Sequence, residues 1–121
     1  MKLEMRSIQD QGIIGKERIV MKALSRLDVG QFALLQAGYS GEGVNTSTND
    51  CYWFPDKIVE EGDWVVLYTK SGNDKEKVQK SGVTAHFFYW GKDLPKWKTK
   101  SWAPVVLQVD SWDFLSPDSN T

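Results

Sequence analysis

Between residues 90 and 102, Lys92, Lys96, Lys98 and Lys100 interleave with the indoles of Trp90, Trp97 and Trp102. These residue types can attract phosphates with ammonium groups and stack bases on indole faces. The wider stretch from Lys70 to Lys100 sharpens the asymmetry. Its eight lysines, set against Asp74, Glu76 and Asp93, leave +5 inside a chain whose formal net charge is −1. Two other chemistries compete for the same residues. Lysine stems cover apolar surface and keep loops soluble, and Trp and Tyr anchors are what protein interfaces are made of. The chain has no Arg after Arg26, and Arg is the better bidentate reader of phosphate and base. A protein partner therefore ranks ahead of nucleic acid.

Other reactive groups are isolated. His86 is the only histidine, and a three- or four-ligand metal site would need Cys51, Asp or Glu to converge on it, which no spacing suggests. Catalysis by His86 with Cys51 requires the fold to bring the two together. Cys51 itself has no cationic neighbour in sequence and reads as a small buried hydrophobe beside Tyr52. Asp110 and Asp113 are three apart, so in an alternating strand they point to opposite faces and share neither a proton nor a metal. The glycines at 38, 41 and 43 neither precede a Lys-Ser/Thr pair nor follow a βαβ pattern, so they read as turn residues rather than a phosphate loop. The expectation is no catalytic residue, no metal and no cofactor.

Composition bounds what can hold these groups. The chain has 121 residues, the size of one domain. Its apolar fraction of 40% is modest, but six Trp, five Phe and four Tyr concentrate burial into few large side chains. The near-neutral net charge gives the whole molecule no electrostatic case for nucleic acid or membrane surfaces, so any such case is local. Met1 to Ser7 lacks the apolar region of a signal peptide, and no run approaches the ~18 apolar residues of a spanning helix. A cytoplasmic protein without a membrane span is expected, which argues against use of the glycosylation pattern Asn45-Thr46-Ser47.

The elements read as strands. Residues 1–16 form a polar lead-in, partly disordered in this reading. Glu17 to Ala23 then alternates, with Ile19, Met21 and Ala23 on one face and Arg18, Val20 and Lys22 on the other. Gln31–Gln36 follows a turn, and a polar loop through Asn45–Asp50 leads to Cys51–Phe54. Trp64–Thr69 is apolar on both faces, as an interior strand would be. Lys70–Gly82 reads as an exposed loop with one helical turn in Lys75–Lys80. Val83–Trp90 is the most aromatic strand, and alternation along the aromatic strands places Trp53, Phe87 and Tyr89 as walls of the core. Pro104–Val109 and Asp110–Leu115 close the domain as two short strands or one bent strand, leaving 116–121 as a tail. About seven short strands in a single unit, 17–115, indicate an all-β fold.

In order of signals the chain resembles a lamin-tail type domain, an immunoglobulin-like sandwich. The likeness is carried by Arg18-Ile19-Val20-Met21-Lys22-Ala23, by Leu27-Asp28-Val29-Gly30-Gln31-Phe32-Ala33-Leu34, by Tyr52-Trp53-Phe54-Pro55-Asp56 and by Glu61-Gly62-Asp63-Trp64-Val65-Val66-Leu67-Tyr68. It covers roughly residues 17–115. Val29-Gly30-Gln31-Phe32 follows the family's "leucine-x-glycine-aromatic" segment only loosely, and the hairpin at Asp110-Ser111 is shorter than usual. The resemblance implies a scaffold for interactions with proteins, and in some settings with nucleic acid or membranes, and it carries over no functional residue. The expectation is a non-enzymatic binding module that presents the Lys70–Ser101 loops and nearby aromatics to a protein partner. The alternative is nucleic-acid or small-ligand binding through residues 90–102. A homodimer through edge strands stays open.

Overall fold

The computed structural model describes residues 1–119. Ten strands run in chain order: β1 (Leu3–Gln9), β2 (Arg18–Ala23), β3 (Leu27–Asp28), β4 (Phe32–Tyr39), β5 (Val44–Trp53), β6 (Ile58–Val59), β7 (Trp64–Tyr68), β8 (Lys75–Val78), β9 (Thr84–Tyr89) and β10 (Trp102–Gln108). They form a five-stranded sheet in the order β1-β2-β7-β9-β8, a three-stranded sheet β10-β4-β5, and the small pair β3-β6. The fold is an all-β sandwich.

Alternation decides what lies between the sheets. Ile19, Met21 and Ala23 of β2, Val65 and Leu67 of β7, and Phe88 of β9 point inward and are buried. They meet Phe32 and Leu34 of β4, Leu27 and Val59 of the small pair, and Phe54 just after β5 in one cluster. Aromatic rings span the gap: Phe88 meets Phe54 edge-on at 5.2 Å, Phe54 meets Tyr52 at 5.0 Å, and Tyr52 meets Trp90 at 6.0 Å. Edge-to-face contacts of this kind contribute about 0.5–1.5 kcal/mol each beyond the area they bury.

All but one of the strand pairs are antiparallel; β7 and β9 run parallel, Trp64 opposite Ala85 and Tyr68 opposite Tyr89. A parallel pair cannot be joined by a tight turn. The chain leaves β7 at Tyr68, crosses the end of the slot that β9 will fill, returns along the edge as β8, and then turns into the slot. The crossing is held by Trp90 N–H donating to Tyr68 O at 2.8 Å and Gly91 N–H donating to Lys70 O at 3.1 Å. Gly72 lies so close over Tyr89 that a Cβ there would stand 2.5 Å from the ring.

The structure corrects the sequence reading in five places. The lead-in contains β1, whose Leu3, Met5 and Ile8 pack on the core, with a register shift between Met5 and Ser7. The loop expected through Asn45–Asp50 belongs to β5, and the helical turn expected in Lys75–Lys80 is β8. Asp110–Leu115 forms no strand, and Asp110 and Asp113 are both exposed there. Trp53 is 49% exposed, and Phe87 and Tyr89 face outward, so these three residues do not wall the core; Phe54, His86 and Phe88 do. The register explains this last result, since Val65 and Leu67, both buried, sit opposite His86 and Phe88.

Candidate functional site

Residues 90–102 close one end of the sandwich. An open cleft of about 520 Å³ there is lined in part by Gln36, Asn49, Lys92, Lys96, Lys98 and Trp102. The fold therefore gathers most of the candidate residues, and it ties several of them into the structure. Lys92 Nζ and Lys96 Nζ lie 3.0 and 2.7 Å from Asp50 Oδ2. Burial alone would raise the Asp50 carboxyl, but the hydrogen bonds from Lys96, Lys92 and the Cys51 amide outweigh it and hold the carboxyl at about 2. Trp90 and Trp102 are half-buried and pack on the core cluster, and Lys96 Nζ sits 5.7 Å from the Trp90 ring centre. Lys98 and Lys100 are exposed.

Trp97 is the clearest correction within the predicted site. It is 1% exposed and belongs to the core, not to a solvent-facing anchor. What holds it in is Glu17, a carboxylate with 0% exposure at the start of β2. Glu17 Oε1 accepts from the amides of Gly12 at 2.9 Å and Trp97 at 3.1 Å. Its Oε2 accepts from the Lys96 amide at 2.9 Å and the Thr69 hydroxyl at 2.5 Å. A buried charge persists only when hydrogen-bonded in this way. Gln36, also buried, adds a bond from its Nε2 to Lys96 O at 2.6 Å. The 93–99 segment is thus a plug tied to the sandwich from beneath.

The outer face of the five-stranded sheet was not legible as a site. Its outward positions are Arg18, Val20 and Lys22 on β2, Trp64, Val66 and Tyr68 on β7, Ala85, Phe87 and Tyr89 on β9, and Lys75 and Lys77 on β8. Arg6 and Lys22 stand 5.9 and 5.5 Å from the Trp64 ring centre, and Arg18 and Lys70 stand 5.8 and 5.0 Å from that of Tyr68. Tyr68 and Tyr89 stack at 5.3 Å with planes 9° apart, and Phe87 lies 6.3 Å from Tyr68. These three rings floor a hollow of about 430 Å³ rimmed by Lys70, Lys75, Lys77 and Glu76. Glu76 reaches Lys57 at 3.2 Å, Arg6 pairs with Glu4 and Arg18 with Asp10. Lys22, Lys70, Lys75 and Lys77 join no ion pair among the described residues.

The remaining reactive groups are held apart. His86 Nε2 lies 2.8 Å from Asp63 Oδ2, and both residues are buried. Asp63 also accepts from the amides of Thr84 and Glu60. Burial raises the Asp63 carboxyl, but the His86 ring and those two amides overcome it, so the net direction is down. As an acceptor-only carboxylate it accepts a hydrogen bond from His86 Nε2–H, while His86 Nδ1 is buried with no hydrogen-bond partner. Cys51 is exposed on the outer side of β5, not buried as its sequence context suggests, and so stands across the other sheet from His86. Burial of its sulfur, then the Asp50 charge, push its thiol up. Among the described residues no three His, Cys, Asp or Glu side chains converge as metal ligands, and no helix is long and apolar enough to cross a membrane. Comparison with protein-family models, with curated proteins and with solved structures found no match to this chain.

Proposed function

We propose that this chain is a non-enzymatic binding module whose working surface is the outer face of the five-stranded sheet, and that the partner it takes there is anionic. The observation that carries this reading is the array of unpaired lysines, Lys22, Lys70, Lys75 and Lys77, set around half-buried Trp64, Tyr68, Phe87 and Tyr89. A lysine held over a ring loses some of its freedom before any ligand arrives, so it costs less to order on binding. Within the Lys70–Ser101 stretch, Lys70–Tyr89 supplies this surface, whereas two of the four lysines in 90–102 are tied to the single charge of Asp50. The kinship with lamin-tail domains belongs to the same proposal. In its support, Arg18–Ala23, Phe32–Leu34 and Trp64–Tyr68, which carry the likeness, all supply core residues of the sandwich.

Retention on heparin and on phosphocellulose tests the reading. The wild-type chain is expected to be held at low salt and released as salt screens the lysines. The Lys75→Glu/Lys77→Glu variant should elute far earlier, and the Lys98→Glu/Lys100→Glu variant nearly as wild type. Loss confined to the Lys98→Glu/Lys100→Glu variant would place the surface on residues 90–102 instead, and equal loss from both would show that the column reads overall charge and overturn the assignment to this face. Flow-through of the wild type on both resins would sink the proposal.

A further inference from the structure

Resting on the proposal of an anionic partner, we infer that the partner is single-stranded nucleic acid, with an unpaired base stacked on Phe87 in the hollow and phosphates on its lysine rim. An acidic polypeptide or a sulfated sugar polymer needs only the lysines, whereas unpaired bases bring flat ring faces as well as phosphates. Here the floor is aromatic: Phe87 and Tyr89 on β9 lie 6.3 and 5.3 Å from Tyr68 on the neighbouring strand. Tyr89 stacks on Tyr68 and is covered by Gly72, so Phe87 is the β9 ring that a base can meet. A base stacks on such a ring without regard to sequence. The open sheet face suits bases that are already unstacked, because a duplex hides the ring faces of its bases inside the helix.

Position of the charges fits the same occupant. Lys75 sits directly opposite Phe87 on β8, and Lys77 sits opposite Ala85, so the edge strand runs a line of ammonium groups beside the rings. Lys70, beyond the end of β7, closes the opposite side over Tyr68. A backbone of phosphates laid along β8 would meet Lys75 and Lys77 while its bases turned inward onto β9. Farther along the face, Trp64 lies between Arg6 and Lys22, which extends the track toward β1.

The decisive probes are a fluorescein-labelled 15-mer of deoxythymidine, an abasic deoxyribose-phosphate 15-mer, a 15-base-pair duplex and poly-glutamate, compared by anisotropy at low salt. The thymidine oligomer is expected to bind about tenfold or more tighter than the abasic one. Phe87→Leu, which preserves bulk on an outward position and leaves the core untouched, should erase that advantage and leave abasic binding as it was. Lys75→Glu/Lys77→Glu should weaken both oligomers together. Equal binding of thymidine and abasic oligomers, or of duplex or poly-glutamate and thymidine oligomer, would overturn the inference while leaving the anionic-partner proposal standing. Loss of heparin and phosphocellulose retention by the wild type removes both. Circular dichroism of Phe87→Leu, with abasic binding retained, separates a lost stacking ring from a lost fold.

Discussion

Glu17 shows how much one side chain can fix. Each of its carboxylate oxygens accepts a backbone amide, Oε1 from Gly12 and Trp97 and Oε2 from Lys96. A glutamine of the same shape must therefore aim its NH2 at a backbone N–H in either orientation. Glu17→Gln is expected to cost about 2–4 kcal/mol of unfolding free energy in urea, since a buried donor facing a donor forfeits the bond and leaves both groups unpaired. Thr69→Val removes only the hydroxyl donor and should cost about 1 kcal/mol. If Glu17→Gln proves no worse than Thr69→Val, the plug is held by the packing of Trp97 rather than by the carboxylate.

At the level of elements, the crossing between β7 and β8 depends on a residue without a side chain. Gly72 passes over the Tyr89 ring with no room for a Cβ. Gly72→Val is expected to cost about 1–3 kcal/mol by overpacking and to shift the Tyr89 ring resonances in an NMR spectrum; unchanged Tyr89 signals would show that the loop simply lifts away. The strands that sequence revealed are those with one buried face: β2, β7 and β9 alternate or run apolar because the core reads every second residue. The strands it hid have no such face. All four residues of β8 are exposed, and so are most of those in β5, leaving no hydrophobic period to detect. In β1 the irregularity at Arg6 breaks the alternation between Met5 and Ile8. Asp110–Leu115 misled in the other direction, because Trp112 and Phe114 look like strand residues yet are 63% and 74% exposed. The candidate site was half legible. Lysine and tryptophan composition pointed to residues 90–102, whereas only the sheet register reveals that Phe87, Tyr68 and Lys75 share a face.

For the molecule as a whole, acid is the natural stress. Asp50 ties β5 to the plug through Lys92 and Lys96, and its carboxyl is held at about 2 against an ordinary 3.8. A carboxyl that resists protonation in the fold stabilises the folded state fully above its unfolded value, and that contribution disappears as pH falls through the folded one. Stability should therefore drop between about pH 4 and pH 2, with Asp50 accounting for at most about 2 kcal/mol given its partial exposure to solvent. Asp50→Asn should flatten this part of the urea-midpoint profile, and an identical acid limb in the variant would place the loss elsewhere, Asp63 being the next carboxyl held down. The slot between β7 and β8 has a further consequence for the order of events during synthesis. A ribosome that has delivered residues only as far as β8 has made β7 with one side bare and the strand that covers it still untranslated. Bare strand edges invite pairing with other chains, so the interval in which β9 is being made is when a nascent chain is most exposed to its neighbours. Because the β8-β9 hairpin is local in sequence and hairpins form in microseconds, that interval is expected to close soon after β9 is made.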